Sequence, residues 1–218
     1  MARILQDLLK ESKAQGWAVG QASMAQVRLD AAMLKWTEVP TRRGGPALST
    51  LRPVDQAEAE PNSLSSRYGK GAQPLHTDGA HLLNPPDIVV LTCETTSTTP
   101  TRLWNGMLRG PYVKRMGEPV QHGVFLISSG NDSFFDVAYT RRRLRFDPGC
   151  MLPCDARARQ ATQFFEEAQG SAIDHQWTEP GQVLLIDNRR VLHARSSAAD
   201  EPQREIQRIS FHLNREES

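Results

Sequence analysis

The tripeptide His76-Thr77-Asp78, taken with His193 far downstream, constrains this chain more than any other feature. In an extended segment residues i and i+2 point to the same side, so His76 and Asp78 can reach one metal ion from a single strand end. The third ligand must come from a remote segment, which obliges two distant strands to meet at one point. Two histidines and one carboxylate cap one face of an octahedral iron(II) ion and leave the opposite face open for oxygen chemistry. Pro74 stiffens the approach to the motif, and Gly79 permits a tight departure beside an ion.

A His-x-Asp tripeptide also arises by chance on loops, so its neighbours in the sequence carry the weight. His193 follows the strand-like Val183 to Ile186 and the polar Asp187-Asn188-Arg189. Of the other histidines, His81 is a substrate contact or a solvated loop residue, and His122 and His175 read as surface groups beside turns. His212 shares a face with Arg208 and competes weakly with His193. Beyond His193 lie Arg204 and Arg208, an even step apart on a strand and therefore on one face. Arginine holds a carboxylate through a planar pair of hydrogen bonds, and a buried arginine needs such a partner. The bland alternative for both is a solvated edge strand.

Periodicity divides the chain. Amphipathic helices are predicted over residues 3–14 and 23–36, the second with Met24, Val27, Ala31 and Leu34 as its stripe. Trp17-Ala18-Val19 reads as a strand and residues 56–66 as a loop. After Gly71 short β segments follow, at 87–93, 123–127, 183–186 and 205–213, with a hairpin between 133–138 and 142–146 and one helix over 155–168. In the last strand Ile209, Phe211 and Leu213 share a face opposite Arg204, Ile206, Arg208, Ser210 and His212. Helices first and many strands later predict a mainly β chain, a jelly roll with helices packed outside. One domain over 1–218 is expected, with residues 1–70 as helical and loop support and 71–213 as the core.

The 26 basic and 25 acidic residues nearly cancel, so no global field points to nucleic acid or an anionic membrane. No apolar run reaches spanning length, and the start Met1 to Asp7 lacks the apolar core of a secretory signal. Three cysteines, Cys93, Cys150 and Cys154, argue against a disulfide framework, and a cytoplasmic location is expected. Cys150-x-x-x-Cys154 offers two thiolates where structural zinc needs four ligands. Arg141-Arg142-Arg143 with Arg145 reads as a solvated hairpin, or as a lid attracting an anion.

Three stretches together, Leu75-His76-Thr77-Asp78-Gly79, Asp187-Asn188-Arg189-Arg190-Val191-Leu192-His193 and Arg204-Glu205-Ile206-Gln207-Arg208, resemble the taurine dioxygenase and clavaminate synthase-like (TauD/TfdA-type) family of iron(II)/2-oxoglutarate-dependent dioxygenases. The resemblance covers residues 73–94 and 181–213 and is loose between them. It implies a double-stranded β-helix of the cupin-like kind, and His76, Asp78 and His193 as the catalytic iron ligands. It implies Arg208 as the partner of the distal 2-oxoglutarate carboxylate, Arg204 nearby for co-substrate or substrate, and Thr101 as the threonine that touches 2-oxoglutarate. His81 and Trp104 are the remaining candidates for substrate contact. The family's Gly-Gly before its threonine is absent here, and Ile186 stands where the family often has tryptophan.

The implied activity is an oxidoreductase that uses iron(II), 2-oxoglutarate and O2 on an unactivated C–H bond of a small molecule, such as an amino acid or natural-product intermediate. Hydroxylation, desaturation and cyclisation all fit an intact Asp78. The partner expected is that small molecule, with a homo-oligomer left open. Two other classes compete: a metal-dependent hydrolase or isomerase on the same triad, and a non-catalytic cupin-like binding protein.

Overall fold

Apolar residues recur at helical spacing near the amino terminus and at strand spacing later, and the elements of the computed structural model follow that switch. The structure describes residues 3–42, 44–106, 117–130 and 132–214; Met1 and Ala2 of the predicted polar start lie outside them. Helix α1 (Ile4–Gln15) leads into strand β1 (Trp17–Gln21), helix α2 (Met24–Met33) and short strands β2 (Thr37–Glu38) and β3 (Ser49–Leu51). Gly16 closes α1 at φ 99°, where a β-carbon would lie 2.4 Å from Val191 Cγ2. The α2 N-terminus is capped by Ser23, whose side chain accepts from Gln26 N–H. Helix α2 stops short of the predicted residue 36 because Lys35 enters the left-handed region at φ 58°. The predicted loop 56–66 ends inside a short helix, α3 (Leu64–Tyr68).

The strand-rich part comprises β4 (Ile88–Cys93), β5 (Ser97–Asn105), α4 (Glu118–His122), β6 (Val124–Ser129), β7 (Asp132–Val137), β8 (Tyr139–Thr140), β9 (Arg143–Leu144), β10 (Met151–Pro153), α5 (Ala156–Ala168), β11 (Ile173–Trp177), β12 (Gln182–Asp187), β13 (Val191–Arg195) and β14 (Ile206–His212). The largest sheet runs β1-β12-β4-β14-β2, with β3 also on β14. A second sheet is β11-β5-β13 and a third is β10-β6-β7. The expected hairpin between 133–138 and 142–146 forms only near its turn, where Arg145 N–H donates to Ala138 O at 2.8 Å, and does not extend back along residues 133–137. Strand β7 pairs instead with β6, Phe135 opposite Leu126, across a turn containing Gly130 at φ 67°. Residues 139–144 make their own small ladder around Arg141 and Arg142.

Three apolar clusters hold these layers together. Leu5, Leu8, Val27 and Ala31 of the helices cover Ile88, Val90, Leu185, Ile209 and Phe211 on one face of the large sheet. On its other face Val89, Leu91, Leu184 and Ile186 meet Leu103, Val191 and Trp177 of the second sheet. Both faces of β4 and β12 are therefore covered, which explains why these strands read as unbroken apolar runs. Ile186 lies opposite Trp17 in the register of β12 and β1, and both belong to this central cluster. The back of the second sheet, with Trp104 and Leu192, packs with Phe125, Ile127, Phe146 and Phe165. Facing antiparallel sheets with helices outside are the mainly β jelly-roll class that the pattern predicted.

Candidate metal centre

The remote histidine meets the motif through the backbone. His76 and His193 form an antiparallel bridge, each N–H donating to the other's carbonyl at 2.9 and 3.0 Å. One potential ligand atom from each of His76, Asp78 and His193 lies within 4.8 Å of the other two, and all three residues are buried. His76 Nδ1 sits 3.0 Å from the Pro74 carbonyl, which only accepts. Nδ1 therefore carries the proton and the Nε2 lone pair is left for a metal. Burial, reinforced by the neighbouring His76 ring, pushes the His193 imidazole down to about 3, so it is neutral near pH 7, the form that ligates. Its Nδ1 is a buried atom without a hydrogen-bond partner.

Asp78 is held on every side. Arg208 Nη1 donates to Oδ1 at 2.7 Å and the Ser210 hydroxyl to Oδ2 at 2.9 Å. Burial opposes its ionisation, but Arg208, the two histidines and the Ser210 hydroxyl outweigh that and hold the carboxyl below its ordinary range. The backbone is fixed as well. Asn188, fully buried, accepts from Asp78 N–H at 3.0 Å and donates to the carbonyls of Asp78 and Pro86 at 3.0 and 2.9 Å. Gly79 turns at φ 68°, where a β-carbon would lie 2.8 Å from Pro86 Cδ. A carboxylate, an imidazole whose Nδ1 is committed to a carbonyl and a neutral imidazole with an orphan nitrogen are the donor set that a borderline divalent ion such as iron(II) takes.

The two arginines sit in different surroundings. Arg208 is engaged by Asp78, and its Nη2 also donates to Thr41 and Ser49 at 3.0 and 3.4 Å. Arg204 is 6% exposed, and its single side-chain hydrogen bond among the described residues runs from Nε to the Ser97 hydroxyl at 3.1 Å. Burial, with the Arg195 charge beside it, lowers Arg204 to about 10, which still leaves it cationic near pH 7. Thr101 lies opposite both Arg195 on β13 and His175 on β11, two pairs along from His193 and Leu103. Its hydroxyl accepts from the Trp177 indole N–H at 3.1 Å, which leaves its own proton free.

The other predicted positions separate. His81 is half-buried in the turn just past Asp78. Trp104 lies on the opposite face of β5 from Leu103, in edge contact with Phe164 and Phe165 at centroid distances of 5.8 and 6.2 Å. It is a packing residue of the rear cluster, and strand alternation places it away from His193. His175, predicted at the surface, is half-buried beside Trp177, with Nε2 buried and unpartnered. His212 pairs with Asp87 at 3.5 Å, apart from the triad. Asp187 and Asn188 do not touch the imidazoles: Asp187 pairs with Arg189 and Arg190, closing the turn before β13.

The basic run is not simply a solvated hairpin. Arg145 is buried and donates to the carbonyls of Ala80, Leu82 and Leu83 at 2.7, 2.6 and 2.9 Å, while Arg143 donates to Pro85 O at 2.7 Å and pairs with Asp87. These two side chains staple the turn that follows the ligand motif. The described cysteines are all free. No described helix is long and apolar enough to cross a membrane.

Residues 118–210 match a family model described as "Taurine catabolism dioxygenase TauD, TfdA family". No curated protein matches by sequence. Among solved structures, an asparagine oxygenase in complex with Fe(II), 2S,3S-3-hydroxyasparagine and succinate superposes with a TM-score of 0.72 at 17% identity, covering 97% of this chain and 78% of the other. The non-heme iron oxygenase OrfP with Fe and alpha-ketoglutaric acid gives 0.69 at 16% identity over 98% and 81%. The PvcB protein from Pseudomonas aeruginosa gives 0.64 at 15% identity over 96% and 82%. These similarities establish the fold as that of the double-stranded β-helix oxygenases.

Proposed function

We propose that the chain is a member of the TauD/TfdA family, whose model matches residues 118–210, and that it is an iron(II)/2-oxoglutarate-dependent dioxygenase that oxidises a C–H bond of a small, amino-acid-like molecule. The observation that carries the reading is the buried His76, Asp78 and His193 set, with potential ligand atoms within 4.8 Å of one another; the chain also holds a buried arginine, Arg204, whose guanidinium is tied among the described residues only at Nε. A hydrolase or isomerase needs the triad but not the arginine.

His76, Asp78 and His193 would hold the iron, which when bound supplies the oxygen-activating chemistry that is coupled to conversion of 2-oxoglutarate to succinate and carbon dioxide. The protein's own part is positioning. Ser210 and Arg208 fix both Asp78 oxygens, so the carboxylate meets the ion in one orientation. We assign the distal 2-oxoglutarate carboxylate to Arg204 with the Thr101 hydroxyl. The sequence led to expect Arg208 there, but Arg208 commits Nη1 to Asp78 and Nη2 to Thr41 and Ser49, leaving only Nε without a partner among the described residues. Arg204 keeps both Nη groups available for a carboxylate, the bidentate hold that guanidinium geometry favours. His81, in the turn beside the ligand motif, is the remaining candidate for a substrate contact. The solved neighbours carry hydroxyasparagine and hydroxyarginine, which supports an amino-acid-like substrate.

Anaerobic addition of iron(II) and then 2-oxoglutarate to the metal-free protein should produce a weak visible charge-transfer band that needs both. With oxygen and a turned-over substrate, succinate should form in step with product. A folded protein that binds metal yet shows no band with 2-oxoglutarate would overturn the reading in favour of the hydrolase or the non-catalytic binding protein.

A further inference from the structure

We propose that Ser97 and Glu201 are positioning residues that aim Arg204 at the distal carboxylate of 2-oxoglutarate; this rests on the co-substrate assignment above. Ser97 opens β5 and Glu201 lies in the loop before β14, so the two reach Arg204 from different parts of the chain. The Glu201 carboxylate accepts from the Ser97 hydroxyl at 2.8 Å and from the backbone N–H groups of Thr98 and Thr99 at 3.2 and 2.9 Å. With its proton directed to Glu201, the Ser97 oxygen turns its lone pairs to Arg204 Nε–H at 3.1 Å and Thr99 N–H at 3.2 Å.

The arrangement is directional. A carboxylate placed directly on Arg204 would occupy both Nη donors and neutralise the charge that an incoming dianion needs. A hydroxyl set between them takes only Nε and leaves the fork of the guanidinium uncommitted. Arg204 N–H also donates to the Glu201 carbonyl at 3.1 Å, so the loop that carries the carboxylate also fixes the arginine backbone. Burial opposes ionisation of Glu201, but hydrogen bonds from Thr99, Ser97 and Thr98 hold it below its ordinary range, so it is an anion near pH 7. An ionised Glu201 keeps the Ser97 proton pointed one way. Arg204 is consequently pre-set before any ligand arrives, and less ordering remains to be done on binding.

The test compares two 2-oxo acids on the full-length iron(II)-loaded protein without oxygen, read by the charge-transfer band. One is 2-oxoglutarate; the other is 2-oxopentanoate, which shares the metal-chelating end but lacks the distal carboxylate. Ser97→Ala and Glu201→Gln should each weaken 2-oxoglutarate roughly 10-fold, the scale of an outer-shell positioning contact, and leave 2-oxopentanoate unchanged. Ser97→Thr, which keeps the hydroxyl, should restore affinity. Glu201 is half-exposed, so Glu201→Gln decides the matter if Ser97→Ala does not fold. Equal weakening of both acids would make the role merely structural and overturn the relay. Unchanged 2-oxoglutarate affinity in both variants would overturn the relay alone. A wild-type protein that forms no band with 2-oxoglutarate would bring down the co-substrate assignment and the relay with it.

Discussion

The two ends of the site differ in how completely their polar groups are paired. At the triad both Asp78 oxygens, the Asp78 backbone, one His76 nitrogen and three arginine contacts are satisfied within the protein, and His193 Nδ1 and Arg208 Nε are left buried without partners among the described residues. At the Arg204 end a buried guanidinium is tied only at Nε, and Arg195 Nε and His175 Nε2 are buried without partners, among the described residues. Buried polar groups are normally paired, because leaving one unpaired costs about 1–3 kcal/mol. A cluster whose carboxylate is saturated is built to present fixed ligands to a small ion, which brings no hydrogen bonds of its own. An unsaturated one is completed by a ligand that carries acceptors.

The largest expected effect is at the saturated end. Asp78→Asn keeps the shape but removes the charge that the ion and Arg208 both need, and iron(II) affinity measured by anaerobic titration should fall by more than about 100-fold, the upper range seen for outer-shell changes. Retained affinity would mean that the triad is not the metal site.

The hub of the saturated end lies outside the ligand set. Asn188→Ala strips partners from the Asp78 N–H and from the Asp78 and Pro86 carbonyls. With each orphaned group costing on the order of 1 kcal/mol or more, global stability by denaturant titration should drop by about 3 kcal/mol. A loss below about 1 kcal/mol would mean that the Asp78 turn holds its shape without Asn188.

A paired comparison of the arginines comes next. Arg204→Gln should weaken 2-oxoglutarate by roughly 10- to 100-fold and leave iron(II) binding intact, as expected for loss of a charged hydrogen-bonding partner. Arg208→Gln should show the reverse bias, with metal affinity the more affected, because it frees Asp78 Oδ1. If Arg208→Gln instead abolishes 2-oxoglutarate binding and Arg204→Gln does not, the roles return to those the sequence led to expect.

That proposed exchange of roles bears on what the chain made legible and what it hid. The triad was readable because few residue types ligate iron and a period of two puts His76 and Asp78 on one side. The face of β14 was readable for the same reason: Ile209 and Phe211 pack under the helices while Arg208 and Ser210 turn to Asp78. Strand β5 was hidden by its composition, Ser97-Thr98-Thr99-Pro100-Thr101, which reads as loop although alternate residues are buried. Without that strand, the alternation that separates Thr101 from Trp104 could not be applied. Arg143 and Arg145 looked like solvated charges because a run of arginines carries no sign of the backbone carbonyls folded beneath it. The order of Arg204 and Arg208 was undecidable from spacing alone, since both lie on one face; what divides them is Asp78, which reaches only one.

The smallest effect follows from protonation. In the folded, metal-free protein burial and the neighbouring His76 hold His193 at about 3, whereas an exposed histidine titrates near 6.5. Between those values the unfolded chain binds a proton that the native state refuses, so stability rises with pH across this window and falls as pH drops through it. One such group gives a slope of up to about 1.4 kcal/mol per pH unit. Denaturation midpoints of the metal-free protein from pH 7 to pH 4 should show it, and His193→Gln, which cannot titrate, should flatten it. Iron(II) binds only the neutral ring, so loading the protein should keep this dependence and carry it to lower pH rather than remove it. A metal-free slope that persists in full in His193→Gln would place the titrating group elsewhere, and the saturated end would then owe its acid sensitivity to something other than its own histidine.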